Sequence, residues 1–365
     1  MKRLVTLFTF LLLFLLSACS SGSEPVQISD EVRFGMILPL TGQTSSLGDY
    51  AKEGVDLAFA EAAPDFMVNG TRIKLIYEDD QGVVKNAVSA AAKLIEIDKV
   101  SAIMAARSSV SLGIGPILEK AGIPGLMVAA VPAAIDVNKY ALRFWVSAEV
   151  EGRQLAEESL RRGYQKVAVV TALDDYTLSV NDAFQNTFIA AGGKIVMDER
   201  VQITDRDMRG LALRVVTSKA DLLFNNTSGG QMALFAKQVK EAGFSGGSVA
   251  NVFLDSQDEV EAASGALDGT FSVSPAATDD FVQRYLKYHG RKPTSYSIIW
   301  YDGALSLINA VRNDMRTPKQ IFSFLENMDT ISGAGGPFTI RDREGDFVMV
   351  LKEVVAGTIV TSELP

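Results

Sequence analysis

A chain of 365 residues is long enough for two domains of ordinary size, each with its own buried core. Hydrophobic residues at 47% and charged residues at 22% exclude a disordered or fibrous polypeptide. The formal net charge of −9 leaves no basic footprint for nucleic acid or anionic lipid, so neither is expected as a direct partner.

Residues 1–18 read as a signal peptide. Lys2 and Arg3 precede Leu4–Leu16, which is apolar apart from Thr6 and Thr9 and too short for a comfortable span, which needs roughly 17–25 residues. The stretch ends in Leu16-Ser17-Ala18-Cys19, which looks like the bacterial lipobox and predicts lipid on Cys19; the plain alternative is an ordinary buried cysteine. Residues 19–30 then form a polar tether. Cys19 is the only cysteine, so neither a disulfide nor a thiol metal site is expected in the body, and no cofactor is.

The body opens on a strand, Phe34–Leu38, ended by Pro39. A Gly/Ser/Thr loop, Thr41–Gly48, leads into a helix with Val55, Ala58, Phe59 and Ala62 on one face. Strand, small-residue loop and helix make the unit of parallel α/β sheets, whose ligands sit beyond the carboxyl ends of the strands. Arg72–Glu78 is the second strand, and Asp79-Asp80 reads as a cap for a helix, Val83–Ile97, with Val84, Val88, Ala91 and Ile95 as its buried stripe. Val100–Ala105 runs into Arg107-Ser108-Ser109, where hydroxyls and N–H groups open the next helix, as anion donors, as N-caps at Ser109 or Ser111, or as both. Gly125–Ala130 and Ala141–Val146 complete the first half.

The pattern then restarts. Lys166–Ala172 is followed by a loop, Leu173–Thr177, and a helix bearing Val180, Phe184 and Phe188. Further strands are Lys194–Met197, Ala220–Asn226, Gly247–Phe253 and Gly269–Ser274. Helices over Asp279–His289, Thr294–Asn313 and Pro318–Met328 precede strands at Phe338–Ile340 and within Phe347–Val360. The expected architecture is α/β: two doubly wound parallel-sheet lobes, 31–147 plus 278–334 and 148–277 plus 335–365. Three crossover hinges near 147–149, 274–277 and 334–337 join them.

An enzyme is not expected. The single histidine, His289, sits in a hydrophilic helix end and reads as a surface residue, and no GxxxxGK[ST] cradle is present.

The run PLTG, the following helix with EGVDLA, and then YEDDQG, RSS, LDDYT, SYSIIWYDGALSLINAV and GPFTIRDREGDF resemble the leucine/isoleucine/valine-binding family of periplasmic binding proteins. The resemblance implies a type 1 periplasmic binding fold and a receptor, monomeric, that hands a small molecule to an ABC permease/ATPase complex and meets the membrane only through its lipid. A sensor of the same fold, signalling to a membrane partner, is the alternative. In the family, a serine after the third strand holds the ligand carboxylate, matching Ser108 beside Arg107 and Ser109. Arg107 is either a bidentate fork for that carboxylate or a solvent-facing side chain. Ala129 and Ala130 offer only backbone where a hydroxyl is usual. Tyr176 matches the second-lobe tyrosine, next to Asp175. Leu47 falls where an aromatic is usual, and the second-lobe aromatic near Ser228 and the glycine that follows is also absent, with Thr227 beside them as a further candidate contact. The acid for a ligand ammonium falls at Val252, next to Phe253, with Asp175 or Asp255 as substitutes. These departures predict an organic acid or modified amino acid in place of free leucine, isoleucine or valine.

Overall fold

The computed structural model describes Glu31–Leu364; the expected leader, Cys19 and the tether lie outside those residues. Among the described residues sixteen strands occur in this order: β1 Glu31–Leu38, β2 Met67–Val68, β3 Thr71–Asp79, β4 Ala102–Ala106, β5 Gly125–Val128, β6 Ala141–Arg143, β7 Lys166–Ala172 and β8 Lys194–Val201, then β9 Leu222–Asn226, β10 Gly247–Ala250, β11 Phe271–Pro275, β12 Ile331–Gly333, β13 Gly336–Arg341, β14 Glu344–Asp346, β15 Met349–Val355 and β16 Thr358–Glu363. They form two sheets, β12-β13-β14-β6-β5-β4-β1-β3-β2 and β16-β15-β11-β10-β9-β7-β8. The parallel cores, β3-β1-β4-β5-β6 and β8-β7-β9-β10-β11, repeat one strand order. That order reverses direction between β1 and β4 and between β7 and β9, the two places where such sheets open a crevice for ligands.

Helices on both faces explain the continuous apolar runs. Phe34, Met36 and Leu38 of β1 share a core with the helices Ser45–Ala62 and Ser295–Arg312, whereas Ile37 points to the opposite core. The helix Ser295–Arg312 is buried along most of its length, with Trp300 fully enclosed. Its N-terminus carries a capping box between Thr294 and Ser297. Gly54 lies where the helix Ser45–Ala62 meets it.

The chain passes between lobes through 144–147 and 276–278. The third passage falls at Phe347-Val348 and not at 334–337. Gly333 pairs with Gly336 in a tight turn between β12 and β13, with Gly336 at φ +106°, so the glycines close a hairpin and provide no hinge. Residues 336–346 stay with the first sheet because β14 pairs with β6, Arg143 ion-pairs with Glu344, and Phe338 and Phe347 both pack against Phe144.

Local readings change in several places. Asp79 caps no helix; its carboxylate accepts from the Leu40 and Thr41 N–H groups at 2.9 and 3.2 Å and from the Thr41 hydroxyl at 2.6 Å, tying down the first loop. Asp80 accepts from Gly82 N–H at 2.7 Å, and the helix begins only at Val84. Its buried stripe is Ala87, Ala90, Ala91 and Leu94; the three alanines let it lie close to the sheet, and Leu94 packs where Gly35 has no Cβ. The segment Leu173–Thr177 is not all loop: Asp174 caps a helix that starts at Asp175, accepting from Tyr176 and Thr177 N–H. The strand expected through Phe253 stops at Ala250, and Val252–Asp255 forms a 3-10 turn. His289 is half-buried, its Nε2 3.0 Å from the Glu53 carbonyl.

Candidate ligand-binding site

β1 and β4 end at the first lobe's crevice and β7 and β9 at the second's. The two crevices face each other across a cavity of about 190 Å³. On the first-lobe side, Arg107 turns the chain from β4 into the helix Ser108–Ala121 at φ +75°, a rare conformation for a side-chain-bearing residue. The helix has no side-chain cap, so its first N–H groups are open donors backed by the positive end of the helix dipole. Ser108, 4% exposed, accepts the Ala130 N–H at its Oγ from 3.2 Å, which fixes the hydroxyl at the cavity edge. Ser111 donates back to the Arg107 carbonyl, so neither Ser109 nor Ser111 acts as the N-cap.

Arg107 does not extend into solvent; its Nη1 donates to the Gly82 carbonyl at 2.8 Å. Its charge reaches Asp80 in its own lobe and Asp174 across the cavity. Burial raises both carboxyls, and the guanidinium pulls each back toward the ionised form. This pole of the cavity therefore combines a cation, open N–H groups and a hydroxyl.

The walls are aromatic. Trp145 and Tyr296 lie 5.2 Å apart at the rear, and Tyr176 meets Phe253 edge-on at 5.8 Å. Tyr50, Leu47, Val252 and Ile203 complete the apolar surface. Behind Tyr176 stands Glu151, 1% exposed, which accepts from the Tyr176 hydroxyl at 2.7 Å and from Val252 N–H at 3.1 Å. Burial pushes its carboxyl up to about 7.

Of the residues singled out from sequence, Leu47, Arg107, Ser108, Ser109, Ala130, Asp175, Tyr176, Ser228, Val252 and Phe253 line the cavity. Ala129 does not. Side chains alternate along an extended chain, so Val128 and Ala130 face the cavity while Ala129 packs into the opposite core. Thr227 is also turned away, its hydroxyl donating to Asn225 at 2.8 Å. Asp255 is not a cleft acid; it ion-pairs with Lys352. Asp175, the other substitute expected for the acid absent at Val252, does line the cavity, and Asp174 and Glu259 line it as well. Two of these already serve the backbone: Asp174 caps its helix, and Glu259 accepts from Gly230 and Ala233 N–H. The aromatics missing at Leu47 and Ser228 come from elsewhere, as Tyr50 one turn later, Trp145 and Tyr296. Among the described residues no group of three or more His, Cys, Asp and Glu could hold a metal ion. No helix there is long and apolar enough to cross a membrane.

Two α/β lobes of repeated strand order, joined by three passages and facing each other over a lined cavity, define a solute receptor of the two-lobed kind. The chain belongs to the periplasmic binding protein family, whose model matches residues 31–356, and is thus an exported solute-binding protein, not an enzyme. It is 26% identical over 378 residues to Leu/Ile/Val-binding protein homolog 7 of Brucella abortus (strain 2308), covering 94% of each chain. Among solved structures it is similar to the leucine-binding protein LivK of Thermotoga maritima (24% identity, TM-score 0.83, 91% of this chain and 97% of that one). It is also similar to a Rhodopseudomonas palustris BisB5 ABC-transporter solute-binding protein in complex with 3,4-dihydroxybenzoic acid (22%, TM-score 0.84, 92% and 97%). A third is LivJ of Streptococcus pneumoniae in complex with isoleucine (18%, TM-score 0.85, 92% and 99%).

Proposed function

We propose that this receptor serves an ABC importer and encloses a small carboxylate with an apolar, ring-sized body between its lobes. The observation that carries the reading is the pairing of Arg107 and the open helix N-terminus at Ser108 with an aromatic enclosure. An anion docks on such N–H groups and on a guanidinium fork, and apolar walls strengthen both interactions by excluding water. The volume suits the proposal, because a cavity of roughly 150 Å³ already admits benzene. Relatives named for leucine, isoleucine and valine, and similar folds holding hydroxybenzoates or isoleucine, support a ligand of this size. Of the three cavity carboxylates, Asp174 and Glu259 already accept backbone N–H groups and Asp175 is exposed to solvent, which favours an acid without an ammonium over a free amino acid. Export with lipid on Cys19 and action as a monomer belong to the same proposal, the former supported by Leu16-Ser17-Ala18-Cys19.

A thermal-shift screen of branched-chain amino acids against benzoate, hydroxybenzoates and aliphatic acids tests this. A ligand at a hundred times its Kd stabilises by about 2.7 kcal/mol, well within detection. An acid is expected to give the largest shift. Shifts from leucine or valine with none from the acids would overturn the ligand class.

A further inference from the structure

The turn that brings Val252, Phe253, Ser256 and Glu259 to the cavity also reaches the other lobe. Asp255, in the second lobe, accepts the N–H of Ser295 at 2.6 Å and its hydroxyl as well, at the N-terminus of the first-lobe helix Ser295–Arg312. Lys352, also of the second lobe, ion-pairs with the same carboxylate. A little further along, Tyr50 of the first lobe donates its hydroxyl to Asp258 at 2.6 Å and lies 3.2 Å from the Ser256 hydroxyl. Arg291 of the first lobe stacks over the Tyr50 ring at 4.3 Å, grips Glu53 at 2.8 and 3.1 Å, and reaches Asp258 at 3.7 Å.

All of these bonds join the chain's own groups, and none requires a ligand. Lys352 already neutralises Asp255 within the second lobe, so parting the lobes does not strand a buried charge. What is lost on parting is the set of hydrogen bonds to Ser295 and Tyr50 and the exposed approach of Arg291 to Asp258, and all of these groups then return to water.

We infer that Asp255–Asp258 is an interlobe latch that gives the ligand-free receptor a standing population of closed clefts. Tyr50 is both a wall of the cavity and a partner of the latch, which links occupancy to closure. That link rests on the cavity being the ligand site; the latch itself does not.

The test needs no ligand. Nitroxides placed through Lys85→Cys in the first lobe and Ala190→Cys in the second, both exposed positions, report the interlobe distance in a Cys19→Ser background. The latched receptor is expected to show a short-distance, closed population. Tyr50→Phe combined with Ser295→Ala removes two hydroxyls while keeping the ring, its cation stack and the Ser295 N–H. It is expected to lower the closed-to-open ratio about tenfold, the effect of two net hydrogen bonds, with the thermal midpoint little changed. Asp255→Asn is unsuitable as the sole variant because it leaves Lys352 buried and unpaired. Absence of a closed population in the ligand-free receptor would overturn the latch. So would an unchanged ratio in the double variant, including one accompanied by a lower midpoint. Failure of the carboxylate screen leaves this result untouched, and failure here leaves the screen untouched.

Discussion

Gly54→Val is expected to destabilise the receptor by about 3 kcal/mol or more, the upper range of overpacking at a rigid contact. A Cβ at position 54 meets the Ser297 carbonyl oxygen and lies 2.9 Å from the Tyr301 nitrogen, backbone atoms of a helix that cannot move aside. That helix is buried against the sheet through Ile299, Trp300 and Leu307, so withdrawing it would open a void on its far side. Gly210 provides the contrast: it lies exposed in the helix Arg209–Thr217 with nothing near its missing Cβ. Gly210→Ala is expected to stabilise by about 0.5–1 kcal/mol. Urea melts of both variants check the pair; equal effects would mean that the close approach at Gly54 carries no energetic weight.

The second large effect depends on pH. Burial raises the Glu151 carboxyl to about 7, above its ordinary value of 4.5. The folded protein therefore holds this proton where the unfolded chain releases it, and stability declines as pH rises from about 4.5 through 7. Above that window the loss levels off at about 3 kcal/mol, at 1.36 kcal/mol per pKa unit. Glu151→Gln keeps an oxygen for the Tyr176 hydroxyl and Val252 N–H but cannot ionise. The variant is expected to be more stable than the parent at pH 8, with the difference closing as the pH falls to 4.5. A stability gap that stays constant from pH 4.5 to 8 would contradict the assignment.

Much of the frame is visible in one sequence because it rests on local rules. The apolar runs of β1 and β7 and the helical spacing after Gly48 and Asp174 each reflect burial against a neighbour close in the chain. The crevice at Ser108 follows from the same logic, since ligands meet the carboxyl ends of parallel strands. The EGVDLA stretch has a physical basis in Gly54, the only residue type that fits there. What the sequence hides is assembled from distant pieces. Trp145 arrives on a crossing between lobes, Tyr296 on a helix about 150 residues further along, and Ile203 from the loop after β8. Nothing near these residues marks them as cavity walls. Tyr50 could have been found, because it lies three residues beyond Leu47 and so on the same helix face. The alternation that separates Ala130 from Ala129 was equally available from the strand before them. The misplaced third passage has a different cause: adjacent glycines suit a hairpin as well as a hinge, and only the pairing of β14 with β6 decides between them.

The central claim is that Arg107 and the helix opening at Ser108 receive a carboxylate. Calorimetric titration of the receptor with the strongest acid from the screen, and with the primary amide of that acid, tests it most directly. The two molecules share shape and apolar surface and differ in the charge of one group. A charge-assisted hydrogen bond contributes about 1.5–3 kcal/mol, so the amide is predicted to bind roughly tenfold to a hundredfold more weakly. Equal affinity for acid and amide would contradict the account.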